Sequence, residues 1–133
     1  RTAALSGVDV RLMIPYETDT KIVEWASRTY VLATVKAGVK VYLYKAGFNH
    51  SKLLVADDSI ATIGSTNVDF RSFENDFEAN AFFYDKKIAL KVKDIFLKDQ
   101  EECVSLEDVR NLTHRSFLQR LWESMVRLLS PLL

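Results

Sequence analysis

Four polar side chains in one short stretch of the chain are suited to chemistry on a phosphate group. His50 and Lys52 are separated by one residue, and so are Ser65 and Asn67, of which Ser65 directly follows Gly64. A lysine ammonium offers a positive charge to phosphate oxygens, and serine and asparagine donate neutral hydrogen bonds to the same oxygens. An imidazole can attack phosphorus or transfer a proton. The set therefore indicates phosphoryl transfer, a chemistry for which these residues require no metal ion and no cofactor.

A lone His-x-Lys pair is more typical of an ordinary surface strand than of a catalytic site. Further residues at fixed spacing favour the site here, namely Asp57, Gly64, Ser65 and Asn67. We therefore interpret His50 and Lys52 as catalytic residues. For Gly64 we expect a role in backbone conformation or close approach rather than in chemistry.

Two short antiparallel strands are predicted to position these residues. Residues 52–56 are apolar apart from the first, and residues 60–63 form a second apolar run after a tight turn. Residues two apart in a strand share a face, so His50 and Lys52 are expected to project together. Asp57 lies at an odd offset from His50 and is expected to point the other way. We therefore favour a structural role for Asp57, capping backbone amides at the turn, over direct catalysis.

The order His-x-Lys, four residues, Asp, six residues, Gly-Ser-x-Asn resembles the HKD signature of the phospholipase D superfamily without a departure. Four longer stretches are similar to the carboxyl-terminal half of bacterial cardiolipin synthases, and they comprise residues 38–44, 47–52, 64–73 and 128–133. The resemblance extends over nearly the whole chain. It implies an α/β fold with a mixed β-sheet flanked by helices, one half of a phospholipase D-type fold.

The resemblance also implies a reaction. Cardiolipin synthases of this family transfer a phosphatidyl group between two phosphatidylglycerol molecules, giving cardiolipin and glycerol through a phosphohistidine intermediate. In the superfamily the nucleophile is usually assigned to the amino-terminal motif, so His50 is expected to be the general acid and base. The resemblance assigns the binding of the phosphate to Lys52, Ser65 and Asn67.

An acidic residue hydrogen-bonds a motif histidine in the resembled family, and Glu78 is the matching position. Such a carboxylate fixes the tautomer of the imidazole and stabilises its cationic form. Glu74 is the local competitor for this role, and we favour Glu78.

Enzymes of the resembled family carry two HKD motifs in one polypeptide, whereas this sequence has one. We expect residues 1–133 to be a single phospholipase D-like domain, a fragment of a two-motif enzyme that is inactive as a monomer. Its partner is expected to be the other HKD-containing half of the parent chain, or a second copy in a homodimer. Two alternatives stay open: a single-motif phosphodiesterase or nuclease acting as a homodimer, and an excised half-domain without activity.

Composition and charge are those of an ordinary globular protein. The chain has 133 residues with 18 basic and 18 acidic side chains, so its charge gives no reason to expect a nucleic acid partner. The single cysteine, Cys103, cannot form an internal disulfide, and no cluster of zinc ligands is present in the sequence. No apolar run approaches the roughly 20 residues that span a bilayer. We expect a bacterial protein associated with the cell membrane and its lipids, with any anchor outside these residues.

Elements before the motif are predicted in the order strand, helix, strand. The first strand covers residues 8–15 and ends at Pro15, the helix covers 21–37 and ends at Gly38, and the second strand covers 39–44. This order predicts a parallel pair of strands with a right-handed crossover.

Elements after the motif begin with an irregular loop over residues 68–75 and a strand over 77–84. A helix is then predicted over residues 86–98, with an inward face formed by Ile88, Val92, Ile95 and Phe96. A solvated connection over 99–112 follows, with a short helical turn at 106–110. The last helix begins after Thr113 and ends before Pro131, and its apolar stripe lies beside three arginines. We favour packing of this stripe on the sheet over contact with lipid.

Overall fold

The structure, a computed structural model, describes residues 1–16, 30–67 and 70–106, with the backbone alone at residues 70 and 71. The chain divides into two compact units. The first contains Arg1–Phe48 and the chain from Cys103 onward, and the second contains Asn49–Glu102. The predicted α/β class is confirmed, and the strands within these described residues form two three-stranded sheets. The elements are α1 (Thr2–Leu5), β1 (Arg11–Pro15), α2 (30–36), β2 (Lys40–Tyr44), β3 (Leu53–Ala56), β4 (Ile60–Gly64), α3 (Phe70–Glu74), β5 (Asn80–Phe83), α4 (Lys86–Glu101) and β6 (Cys103–Ser105).

The sheet of the first unit is mixed and has the order β1-β2-β6. Strands β1 and β2 pair in parallel from Arg11 opposite Lys40 onward, as the sequence predicted. The buried core of this unit consists of Val39, Val41, Leu43 and Leu106. The predicted helix over 21–37 is confirmed for residues 30–36, and residues 21–29 lie outside the described residues. Gly38 follows this helix with a φ of +93°, the left-handed conformation that suits glycine.

The sheet of the second unit is antiparallel and has the order β3-β4-β5. The predicted pairing of β3 with β4 is confirmed, with Leu53 opposite Ile63 and Ala56 opposite Ile60. One face of this sheet packs on α4 around a core that consists of Ala61, Ala89 and Val92, with Leu53, Val55, Phe83 and Ile88 beside them. This face anchors the strands whose ends carry the predicted site.

Helix α4 begins at an N-cap that the sequence analysis did not identify. The carboxylate of Asp85 accepts a hydrogen bond from the Ile88 amide at 2.9 Å, which satisfies a backbone donor of the first turn. The helix continues to Glu101, three residues beyond the predicted end. The predicted inward position of Ile95 is wrong, since its side chain is 52% exposed. The buried residues of this helix are Ala89 and Val92, and Ile95 is not among them.

Two further predictions of local structure are wrong. The segment predicted as an irregular loop over 68–75 contains α3, a helix of one turn that is too short to show a helical repeat. The predicted connection after residue 98 contains the end of α4 and then β6, which pairs antiparallel with β2. A strand of three residues has no readable alternation, and its pairing with β2 determines its conformation.

Other predictions are confirmed in part or lie outside the described residues. The strand predicted over 77–84 is confirmed only for Asn80–Phe83. The predicted turn beyond Leu106 and the last helix fall within residues 107–133, which lie outside the described residues. In the described part of the chain, the helices are too short or too polar to cross a membrane.

Candidate active site

His50 and Lys52 lie just before β3, where the backbone pairing of the hairpin extends beyond the regular strand. The Gly64 amide donates to the Lys52 carbonyl at 3.1 Å, which places Lys52 opposite Gly64. The Lys52 ammonium donates a hydrogen bond to the backbone carbonyl of His50 at 2.9 Å. His50 itself is an exposed residue. Because both residues precede the strand, their predicted common face stays a prediction.

Ser65 and Glu78 meet beyond the ends of β4 and β5. The Ser65 hydroxyl donates a hydrogen bond to the Glu78 carboxylate and accepts one from the Ala79 amide at 3.0 Å. The Ser65 amide donates to the Ala79 carbonyl, also at 3.0 Å. These bonds continue the β4–β5 pairing and bring a predicted phosphate ligand into contact with the predicted acidic residue.

Ser72 is a third member of this group, contributed by α3. Its side chain is buried, with 7% of the residue exposed. Its oxygen accepts a hydrogen bond from the Asn67 amide at 3.1 Å. Its hydroxyl is also one of the groups that lower the pKa of the Glu78 carboxyl. Ser72 therefore fixes the backbone of the segment that carries Asn67.

The electrostatic surroundings of Glu78 favour its ionised form. The hydrogen bond from Ser65 lowers the pKa of the Glu78 carboxyl below its usual value, and the bond from Ser72 lowers it further. The positive charge of Lys52 acts in the same direction, and partial loss of water contact opposes it. Glu78 is therefore a carboxylate near neutral pH, with a lysine close enough to affect its charge.

Gly64 lies at a point where two backbone segments approach each other closely. It is opposite Asn80 in the β4–β5 register. A Cβ atom at this position would lie 2.7 Å from the Asn80 Cα and still closer to the Ala79 carbonyl oxygen and the Asn80 side chain. No side chain other than hydrogen fits here without a shift of the backbone.

Asp57 occupies the turn between β3 and β4. Asp57 and Asp58 have φ values of 48° and 55°, and the Ser59 amide donates to the Ala56 carbonyl at 3.1 Å, which is the pattern of a type I′ turn. The Asp57 carboxylate is exposed and makes no hydrogen bond with the residues that the structure describes, whereas Asp58 pairs with Lys93 of α4 at 2.5 Å. We predicted that the Asp57 carboxylate caps backbone amides at the turn. In the structure, Asp57 contributes to the turn through its backbone conformation.

The predicted site residues all lie in the unit formed by Asn49–Glu102. Within the part of the chain that the structure describes, the Glu78 carboxylate accepts a hydrogen bond from the Ser65 hydroxyl. The predicted pairing of Glu78 with His50 stays a prediction. Ser72 was missed because a serine in a polar segment has no distinctive pattern, and its position depends on the short helix α3.

Comparison with solved structures identifies the fold class. The structure of a phospholipase D family member, Nuc from Salmonella typhimurium, superimposes with a TM-score of 0.65 and 20% sequence identity, covering 78% of this chain and 68% of that one. At this identity the likeness shows the fold, which is that of the phospholipase D family.

Comparison of sequences then gives the particular family. The family model described as cardiolipin synthase, PLD-like domain, matches residues 1–100, and the chain belongs to this family. The relatives include a cardiolipin synthase of Clostridium perfringens strain SM101, 44% identical over 133 residues, and the major cardiolipin synthase ClsA of Bacillus subtilis, 46% identical over 138 residues. All of this chain is covered, but only 28% and 27% of the two relatives. The chain thus spans about a quarter of their length.

Proposed function

We propose that this chain supplies one of the two HKD motifs of a phosphatidyltransferase that converts two phosphatidylglycerol molecules into cardiolipin and glycerol. The observation that carries the proposal is the grouping of Ser65, Glu78 and the charge of Lys52 at the end of one sheet, in a chain of the cardiolipin synthase family. The relatives of Clostridium perfringens and Bacillus subtilis are cardiolipin synthases, which supports the same product.

The first half of the proposed reaction forms a covalent intermediate. A histidine of the other motif attacks phosphorus of one phosphatidylglycerol, which forms a phosphorus–nitrogen bond and breaks the bond from phosphorus to the oxygen of the glycerol headgroup. His50 gives its proton to that oxygen, so that glycerol leaves as a neutral alcohol. The Lys52 ammonium stabilises negative charge on the non-bridging oxygens, and the Asn67 amide donates a hydrogen bond to them.

The second half returns the site to its starting state. His50, now neutral, removes the proton from a headgroup hydroxyl of a second phosphatidylglycerol, whose oxygen then attacks phosphorus. The phosphorus–nitrogen bond breaks, and cardiolipin is released with His50 again protonated. We propose that Glu78 stabilises this protonated form through a hydrogen bond to the imidazole.

Residues 1–133 are proposed to act as one phospholipase D-like domain, since a single family model extends over 1–100 and thus over parts of both compact units. A second histidine must come from elsewhere, because in the first step the attacking imidazole nitrogen and the leaving oxygen that His50 protonates lie on opposite sides of phosphorus. The remaining three quarters of a polypeptide as long as the relatives has room for it. A lipid substrate also implies that the protein works at the bacterial cell membrane.

The test is an assay of the full polypeptide with radiolabelled phosphatidylglycerol in vesicles. We expect one glycerol released for each cardiolipin formed, and a rate of product formation at least roughly 100-fold lower with the His50→Ala variant. Phosphatidic acid with glycerol, and no cardiolipin, would mean that water is the acceptor and would overturn the transferase assignment in favour of a phosphodiesterase. A homodimeric phosphodiesterase would further show activity that rises with the square of protein concentration in the dilute range.

A further inference from the structure

We propose that the exposed face of helix α4 docks on the surface of an anionic lipid bilayer. This face carries Lys87, Lys91 and Lys98, which we call the lysine stripe. At 3.6 residues per turn, their spacing of four and seven residues places them within roughly 40° of one another around the helix axis. The choice of an anionic lipid rests in part on the proposed function, whose substrate is such a lipid, whereas the geometry of the stripe does not.

The opposite side of α4 is already used by the sheet of the second unit. Ala89 and Val92 are buried in the core there, and Ile88 packs against them. The three lysines of the stripe are exposed, and Ile95, four residues after Lys91, is 52% exposed beside them. Because its apolar side is occupied, the helix cannot insert that side into a bilayer. Contact with lipid would therefore be made by ammonium groups at the level of the headgroups.

The lysine stripe has no acidic partner within residues 1–16, 30–67 and 70–106. None of its three ammonium groups forms an ion pair there, whereas Lys93, at a different angle on the same helix, pairs with Asp58 at 2.5 Å. Asp94 lies between Lys91 and Lys98 on the exposed face, and it forms no ion pair with either of them. The face thus keeps an excess of positive charge that can attract an anionic surface.

The first turn of α4 holds a lysine where the helix itself favours an acid. The amino terminus of a helix carries a partial positive charge, which stabilises acidic side chains and opposes basic ones. The first turn of α4 contains Lys86 and Lys87 and no acidic residue. Asp85 supplies the N-cap, but the charge of Lys87 opposes the helix dipole. This charge points to a task other than stabilising the helix.

Anionic lipid headgroups match the stripe in charge and spacing. The stripe extends over eleven residues, or roughly 16 Å at 1.5 Å per residue, so it can contact several headgroups at once. Each lysine close to an anionic surface contributes attraction, which salt screens within about 10 Å. Docking by the stripe would hold the unit that carries the candidate site on the membrane that contains the proposed substrate.

The direct test measures the reactivity of individual lysines in the full polypeptide, mixed with vesicles, by amine acetylation and mass spectrometry. We expect the stripe lysines to react roughly 5-fold more slowly with vesicles of phosphatidylglycerol or phosphatidylserine than with vesicles of phosphatidylcholine. The difference should disappear at about 1 M salt, where charges are screened within about 3 Å. Lys36 is the internal control, since it is an exposed lysine of α2 in the other unit.

A charge reversal at Lys87 separates docking from stability. Lys87→Glu places an acidic residue in the first turn of α4, so we expect the thermal midpoint to stay the same or rise. The same change should weaken the protection of Lys91 and Lys98 by anionic vesicles. Lys36→Glu is the matched control, because it changes the net charge equally and should leave that protection intact. A stripe that merely supported the helix would show a lower midpoint in Lys87→Glu and unchanged protection.

Equal reactivity of the stripe lysines with all three kinds of vesicle would overturn the inference. Low reactivity already with phosphatidylcholine would also overturn it, because another part of the polypeptide would then cover the stripe. Protection by phosphatidylglycerol but not by phosphatidylserine would show recognition of one headgroup rather than docking by charge. If the polypeptide makes no cardiolipin, the proposed function fails, and phosphatidylserine, which is not the proposed substrate, still decides whether the stripe docks.

Discussion

The hydroxyl of Ser65 donates a hydrogen bond to the carboxylate of Glu78, thirteen positions further along the chain. The sequence had suggested separate tasks for these residues, one at the phosphate and the other at a histidine. Their contact places Ser65, a predicted phosphate ligand, in the same hydrogen-bond network as Glu78, the predicted partner of a histidine. A substitution at either residue is therefore expected to affect both.

Replacing Glu78 by Gln keeps the size of the side chain and removes its charge. We expect kcat to fall and the acidic limb of its pH profile to move to lower pH, because the imidazolium form of the partner histidine loses a stabilising anion. Profiles of kcat against pH check this. Glu74→Gln is the matched control, and a shift of the limb in that variant alone would reverse the assignment.

Replacing His50 by Ala should lower kcat roughly 100- to 10,000-fold, the contribution of a positioned proton donor. Cardiolipin formation is the readout, and thermal unfolding reports whether the fold is intact. His114→Ala serves as the control, since the sequence assigns the other histidine of the chain no part in the motif. A folded His50→Ala protein that keeps more than a tenth of the wild-type rate would exclude His50 as the acid–base group.

Much of the fold was readable from sequence because local patterns and tertiary pairing agree. The β3–β4 hairpin shows two apolar runs around an Asp57-Asp58 turn, and both strands formed close to the predicted bounds. Strand β6 was missed because its three residues acquire their conformation from pairing with β2. The spacing of the motif brought out His50 and Lys52, but Ser72 reaches the Asn67 amide only because it belongs to the short helix α3.

Replacing Gly64 by Ala should destabilise the second unit. The new Cβ would overlap the backbone of Ala79 and Asn80, and overpacking of this kind costs about 1–3 kcal/mol. Chemical denaturation measures the loss of unfolding free energy. The double variant Gly64→Ala with Asn80→Ala should remain destabilised, because two of the three close contacts are to the backbone. Full recovery would show that the Asn80 side chain alone is the obstacle.

Replacing Asp57 by Asn should leave kcat within a few-fold of wild type, because asparagine also tolerates the positive φ of the turn. Asp57→Val should instead destabilise the protein by roughly 1 kcal/mol, because a β-branched side chain without polar atoms tolerates the left-handed conformation less well than aspartate, which can hydrogen-bond locally. Activity and unfolding free energy are measured on both variants. A large loss of kcat in a fully stable Asp57→Asn protein would indicate that the carboxylate takes part in the reaction.

The stability of the first unit should depend on pH through Asp9. Its carboxylate is bound by Arg11 and Lys40, each at 2.9 Å, and the hydrogen bond from Arg11 is the main cause that lowers the pKa of Asp9 from 3.8 to about 2. A lowered folded-state pKa stabilises the protein above the unfolded value, and this contribution is lost as pH falls from about 4 toward 2. The thermal midpoint should therefore drop less over this range in Asp9→Asn than in wild type. Parallel plots of thermal midpoint against pH for the two proteins would show that the ion pairs of Asp9 do not contribute to stability.

The order of the strands along the chain has a consequence for synthesis on the ribosome. The sheet β3-β4-β5 is built from consecutive strands, each antiparallel to the one before, and its last strand ends at Phe83. The sheet β1-β2-β6 lacks one strand until Ser105 has been made. Sheets of consecutive hairpins have low contact order, which favours rapid folding. The part of the nascent chain that carries the proposed chemistry can therefore complete its sheet while the other sheet is still waiting for its third strand.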